Sequence, residues 1–372
     1  MLFIPHKHLY ISGTSYVSAD EPDYKEVITD ANSRRRMGRL LKMAVWCGLK
    51  SLDGVPSERV AAIITSTGAG FMKDTISFGS SIFDREETLL NPSPFMQSTF
   101  NTASGYIALI RKIHAYNTTY VQQADGFAAS LVDAAMLLDD AGEGNVALVG
   151  AFDEVTPEVD VIRQRLGLYR VGDGFLPLGE GAAAFLLSAA MPTDVSESCR
   201  AAESSTERGG DDGSESGSGQ SGDEAGSESA SEHGGESGSE SSTGPLWESE
   251  SASRPCDESG SESSSEPLHE SGGTSSRSLN GTKDGNAALR FCGLANLSDL
   301  PKCAANRIAE LFGINAGVNV ISCADHVESL GAFRSLLPVL LCKLISEQQI
   351  PDGYTAIVDD VNEDGVIVLL HK

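Results

Sequence analysis

Apolar and polar positions along the 372-residue chain switch repeatedly between two periods. Short apolar runs of strand length occur at 8–17, 61–65, 118–121, 146–150 and 182–187. Helical spacing separates them. Residues 34–52 place Met37, Leu40, Leu41, Ala44, Val45 and Leu49 on one face. Residues 102–114 read as a second helix, and 128–140 as a third that is apolar nearly all round, so it is expected to be buried. The pattern resumes near residue 288, with strands expected at 288–292, 318–322, 355–359 and 366–371 and helices at 301–312 and 328–346. Strands alternating with helices predict an α/β fold layered about a central sheet. No internal repeat is visible in the residues themselves.

Between these two blocks the pattern stops. From 193 to about 284 Ser, Gly and Glu dominate, in phrases such as Gly-Ser-Glu-Ser-Gly-Ser-Gly, with almost no aliphatic residue. That segment holds 21 acidic residues against five Lys and Arg, which is −16 of the chain's −26. It cannot bury enough apolar surface to offset the entropy of ordering, and is expected to be a disordered acidic insert. The organisation expected is therefore 1–192, an insert at 193–286, and a short 287–372 completing the same fold. A surface connection tolerates such an insertion because loop-closure entropy grows slowly with length.

Charge and cysteine usage exclude several classes. Strong acidity argues against a nucleic-acid partner, which needs clustered Lys and Arg. The one basic cluster, Arg34-Arg35-Arg36, opens a helical stretch, where a solvated face is the ordinary outcome. Seven scattered cysteines without a CxxC pair suit reduced thiols in a cytoplasmic protein and offer no zinc site. The first ten residues hold too short an apolar stretch for a signal-peptide core, and no apolar run reaches the ~20 residues of a membrane span. No metal or cofactor is expected.

One segment carries more information than any other. Gly172 to Ser188 reads Gly-Asp-Gly-Phe-Leu-Pro-Leu-Gly-Glu-Gly-Ala-Ala-Ala-Phe-Leu-Leu-Ser. Asp173 and Glu180 frame a short loop that runs into an unbroken apolar strand. The small residues Gly179, Gly181 and Ala182 to Ala184 require that strand to pack closely against its neighbours. This stretch resembles the "DGF-x-x-GEGA" signature of β-ketoacyl synthases, condensing enzymes of the thiolase-like superfamily. Further segments are similar in the same order: the first strand from Leu9, Arg36-Met37 with its helix, Thr67-Gly68-Ala69-Gly70, and Asn91-Pro-Ser-Pro followed by Asn101-Thr-Ala-Ser-Gly105. The Asn91 run looks most like the ketoacyl-synthase-like N-terminal branch of Bacteroidetes-type bacteria. The resemblance implies a thiolase-like αβαβα layered fold with a shortened second half.

It also implies where chemistry should lie. The family's nucleophile is a Cys on a sharp strand-to-helix turn, where the helix N-terminus lowers its pKa. Registering the helix by Ser130-Leu131 puts Phe127 at that position, and no Cys occurs between Cys47 and Cys199. A phenyl ring cannot be acylated. Ser130 lies one turn into the helix and is expected to point away from any pocket. The family's two histidines polarise a thioester carbonyl. Nothing here resembles the "HGTGT" motif of the first. Ser322-Cys-Ala-Asp-His326-Val-Glu328 resembles the second at His326 and Glu328, without its Lys and with Asp325 in place of Gly. The alternative role for His326 is to cap the helix that follows. Cys323 is expected to be a small filler at a strand end. Asp360-Val-Asn362-Glu-Asp-Gly365 stands where the family has its oxyanion loop, with Asn362 and Gly365 retained.

The expected function is therefore a ketosynthase-like protein of fatty-acid-, polyketide- or polyene-type synthesis that does not condense by itself. Its partners would be acyl carrier protein or an acyl thioester, and a ketosynthase or a second copy paired as a dimer through 118–121. Two alternatives stay open: an acyltransferase or decarboxylase using an unrecognised nucleophile or His326, and an interaction protein recruited through the acidic insert.

Overall fold

The structure is a computed structural model that describes residues 2–122, 125–142, 144–190, 277–278, 288–297, 305–362 and 365–372. The chain divides into a unit of Met1–Arg208 with Gly272–Lys372 and a second unit of Gly209–Ser271. The second unit, and almost all of the expected insert, lies outside the described residues. Arg277 and Ser278 are the described part of that span, and they pair with Thr14 and Gly13.

Nine strands form one hydrogen-bonded path: β1 (Leu9–Val17), β2 (Val60–Thr67), β3 (Tyr116–Val121), β4 (Val146–Asp153), β5 (Gly181–Ser188), β6 (Arg290–Asn296), β7 (Val318–Ser322), β8 (Tyr354–Val358) and β9 (Val366–His371). Their order is β7-β8-β9-β6-β1-β5-β4-β2-β3. β1 to β5 make one half, in the order β3-β2-β4-β5-β1, with β3, β2 and β4 parallel and β5 antiparallel to both neighbours. β6 to β9 repeat the arrangement with β7 parallel to β8, and β9 antiparallel to β8 and β6. One strand is missing from the repeat: nothing described plays for β7 the part that β3 plays for β2. The internal duplication invisible in the residues is plain in the topology.

The helices are α1 (Ala31–Arg36), α2 (Arg39–Ser51), α3 (Met72–Asp84), α4 (Pro92–Ser98), α5 (Thr102–Arg111), α6 (Asp125–Asp140), α7 (Pro157–Leu166), α8 (Ala305–Leu311), the single turn α9 (Val327–Leu330) and α10 (Leu336–Ser346). Three cores explain their placing. α2 and α5 pack on one face of the first half, against Ile63, Leu148, Ala182, Ala184 and Leu186. α6 and α10 share a middle core with Ile64, Val149, Ala183, Phe185 and Leu187, together with Ile357 and Val368 of the second half. α8 covers the far face on Ala356, Val358 and Ile367. The alternation along β5 thus buries both of its faces, which is why its sequence is apolar without a break. The expected αβαβα layering is present.

Two helical expectations need correction. The stretch 34–52 is two helices, because Met37 and Gly38 leave helical geometry. Gln97 holds that break: its side chain accepts from the Gly38 N–H at 2.8 Å and donates to the Arg36 carbonyl. The stretch 328–346 is broken at Gly331, whose φ of 78° is closed to ordinary residues, so α9 and α10 are separate. The helices α3, α4 and α7 were unanticipated. α7 is announced by Thr156-Pro157, where the Thr156 hydroxyl accepts from the Val159 N–H and Pro occupies the first helical position.

Candidate functional site

The motifs singled out in the two halves meet. The signature loop before β5 runs beside Gly331 and Ala332: the Gly179 N–H donates to the Ala332 carbonyl at 3.2 Å, and the Ala332 N–H to the Pro177 carbonyl at 2.7 Å. Gly179 and Gly331 touch backbone to backbone. A Cβ on Gly179 would strike the Leu330 carbonyl oxygen, and one on Gly331 would strike Gly179. The close packing read from the small residues is therefore real and spans both halves. Glu180 then ties the loop to the start of α2: Arg39 donates to it at 2.5 Å, and the Val155 N–H donates to its other oxygen at 3.1 Å. Asp173 is exposed on the tip of a two-residue hairpin.

A buried polar network lies beside that seam, at the carboxyl ends of β2, β4 and β8. Asp153 ends β4 and is almost fully buried. Its Oδ1 accepts from the Gly68 N–H (2.8 Å), the Thr67 hydroxyl (3.1 Å) and the Ala69 N–H (3.3 Å); its Oδ2 accepts from the Ser335 hydroxyl at 2.5 Å. The loop after β2 is thereby joined to the residue that precedes α10. Burial nevertheless raises the Asp153 carboxyl above the usual range, its four donors opposing that shift.

Asp359, just past β8, is also buried and raised for the same reason. It accepts from the Asn362 side chain at 2.7 Å and from the Asn362 and Val361 N–H groups. The Asn362 side-chain oxygen Oδ1 in turn accepts from the Tyr169 hydroxyl at 2.9 Å and from Arg334 at 3.2 Å. The Arg334 guanidinium also stands 5.8 Å from the centre of the Tyr169 ring. Asn362, read from its resemblance to an oxyanion loop, thus spends its side chain on holding the two halves together.

Phe127 occupies the first turn of α6, only 6% exposed, with its ring 5.5 Å from that of Phe185 on β5. Where the resemblance expects a thiol, the position is a core aromatic. Ser130 is fully buried and its hydroxyl donates to the Gly126 carbonyl at 2.8 Å, turned back along its own helix as expected. Among the described residues Cys47, Cys292, Cys323 and Cys342 all have thiols pushed up by burial, the opposite of what a reactive thiolate needs. Cys323 is a buried filler in the middle core.

His326 lies in a short turn between β7 and α9, half-buried. It stands at the N-cap of α9, and its ring makes no capping bond. The capping role is thus absent. Glu328 is exposed on α9. The polar network does not reach either residue. Asp153, Ser335, Tyr169, Arg334 and Asp359 went unread in the sequence. The one available signal was Asp153 itself, an acid closing a fully apolar strand.

The geometry can be compared with known proteins. The model for the β-ketoacyl synthase N-terminal domain matches residues 14–220, more than half of the chain. No curated protein matches the sequence significantly. The structure of the ishigamide ketosynthase/chain length factor superposes with a TM-score of 0.56 at 13% identity, covering 98% of this chain and 99% of that one. A type II polyketide synthase acyl-carrier protein in complex with its ketosynthase, bound to the hexaketide, gives 0.55 at 13% identity, with 98% and 99% covered. A β-ketoacyl synthase from Burkholderia phymatum STM815 gives 0.52 at 10% identity, with 98% of both chains covered. At these identities the likeness establishes the fold. With the family model spanning β1 to β5 and the layered topology continuing through β9, the chain belongs to the β-ketoacyl synthase family and has its thiolase-like fold.

Proposed function

We propose that this chain is a non-condensing member of the family that partners an active ketosynthase, as a chain-length factor does, in building acyl chains on a carrier protein. Phe127 carries the reading. The first turn of α6 is where a helix dipole would activate a nucleophile, and a buried phenyl ring fills it. The family resemblance supplies the acyl-chain context, and the similar folds of a ketosynthase/chain length factor and of an acyl-carrier protein in complex with its ketosynthase support both partners.

Two surfaces suit those partners. β3 is an edge strand, with Tyr116 and Val121 exposed and its outer backbone groups open to a second subunit. A groove of about 360 Å³ runs beside it along α6, lined by Tyr120, Gln122, Ala128, Val132 and Met136. On α1, Arg35 and Arg36 are exposed, the charge an acidic carrier protein would meet.

Intact-mass analysis after incubation with acyl and malonyl thioesters tests the reading. No covalent adduct is expected on residues 125–130, and a stoichiometric adduct mapped to Ser130 would overturn it. Light scattering across a dilution series, with and without a purified ketosynthase that retains its Cys, tests the partner: a chain that stays monomeric in both series is not a subunit of this kind.

A further inference from the structure

The chain between β4 and β5 is fastened to the rest of the fold at its two ends and at one point between them. The ends are pinned at the seam: the Val155 N–H donates to Glu180 at 3.1 Å, and Pro177 and Gly179 bond Ala332 at 2.7 and 3.2 Å. Over residues 155–177 Thr156 alone is buried, and its hydroxyl caps α7 from within the segment. α7 buries none of its 10 residues. The segment is braced by its own side chains instead. Arg163 donates to Asp160 at 3.0 Å and to the Leu176 carbonyl at 2.6 Å. Its guanidinium also stands 5.0 Å from the centre of the Phe175 ring, so α7 and the hairpin after it are tied into one piece.

The point between the ends is Tyr169. Among the described residues its hydroxyl makes the one hydrogen bond from 156–176 to the rest of the fold, the bond to Asn362. Its ring lies against the middle core and beside the Arg334 guanidinium. Leu176, next to the pinned end, is the other side chain of the segment packed on that core. Tyr169 holds its place with a φ of 59°, a left-handed conformation costly for a bulky residue. A segment with so little buried apolar surface, strained at its one anchor, belongs to the low end of local stability.

We propose that residues 156–176 are a strap that opens as one unit, latched by Tyr169, and that its opening withdraws Tyr169 from Asn362 and Arg334 while the seam at Ala332 stays closed. Native-state hydrogen exchange of the full chain at low urea tests this. The Leu168 N–H closes α7 on the Arg163 carbonyl, and the Leu176 N–H closes the hairpin on the Tyr169 carbonyl. Both are expected to exchange through one opening, with the same opening constant and the same dependence on urea, while the amides of β4 and β5 open far more rarely. Tyr169→Phe loses only the bond to Asn362 and is expected to raise that constant about fivefold. Tyr169→Ala loses the ring contacts too, and a rise on the order of a hundredfold is expected. Arg163→Ala is expected to uncouple Leu168 from Leu176. The β4 and β5 amides, read in the same spectra, show that each variant has folded. Separate opening constants for Leu168 and Leu176 in the wild type would overturn the strap, as would exchange of both only with β4 and β5. Wild-type exchange in both Tyr169 variants would overturn the latch, and coupling that survives Arg163→Ala would overturn the brace.

Discussion

The two halves of this molecule solve the same folding problem with different completeness. In both, two parallel strands end side by side, and a hydroxyl and a backbone N–H from one loop hook a carboxylate past the neighbouring strand. In the first half Thr67, Gly68 and Ala69 hold Asp153. In the second, the Ser322 hydroxyl (2.6 Å) and the Ala324 N–H (2.9 Å) hold Asp360. The first hook is sealed beneath Ser335 and the start of α10; the second is open to water. The second half also lacks the strand that would sit beyond β7. A half can lose its outer strand because the inner strands remain paired and α8 and α10 still cover both faces. What it cannot lose is the seam through which it is pinned to its larger twin.

That contrast can be broken at three points. The largest effect is expected from Gly179→Ala. The new methyl has no room beside the Leu330 carbonyl, and backbone cannot move aside as a side chain can. A loss of about 3 kcal/mol or more in urea denaturation is expected, with separation of the two halves as the mechanism. A loss under 1 kcal/mol would mean that the seam is not tightly closed.

Next comes the pair of hooks. Asp153→Ala removes the acceptor of the buried Thr67 and Ser335 hydroxyls and of the half-buried Gly68 and Ala69 N–H groups, at a cost of about 2–4 kcal/mol. Asp360→Ala, with the same local pattern exposed, is expected to cost about 0.5 kcal/mol, because water replaces the lost acceptor. Equal costs would show that burial does not distinguish the halves.

The smallest effect concerns pH. Burial raises the Asp153 pKa in the folded chain above its unfolded value. The protonated form is therefore the one the fold favours, and the stability it contributes is lost as pH rises through the folded pKa. Asp153→Asn cannot ionise. The stability of the wild type relative to this variant is expected to fall as pH rises above the ordinary carboxylate range, measured by parallel denaturation. A difference that grows with pH would mean that the four donors outweigh desolvation, giving Asp153 a depressed pKa instead.

Much of the first half was legible because its cues are local. The apolar runs placed β1, β2, β4 and β5 to within a few residues, and glycines at 179 and 181 announced a close approach. The helix α6 was readable from its periodicity, and the aromatic at Phe127 followed from its register. α3 went unread although Met72, Ile76, Phe78, Ile82 and Phe83 recur at helical spacing, and the seven residues of α4 are too few to show a period. Gly38 and Gly331 stand where continuous helices were expected, yet a lone Gly is compatible with helix and break alike. The breaks are decided by Gln97 and by the Pro177–Gly179 loop, 59 residues and roughly 150 residues distant.

The sequence by itself determined the class of layers, the family and the phenylalanine at the start of α6, because each depends on neighbours within a few residues. Tertiary structure alone decided that the second half repeats the first without its outer strand, since strand order depends on pairing across the whole chain. It also decided that Asn362 ties Tyr169 and Arg334 to Asp359 while His326 and Glu328 stand outside that network. A hydrogen bond between residues 193 positions apart leaves no mark in either local pattern, and only the packing of β4 against β2 and of α10 beneath them brings such groups within reach.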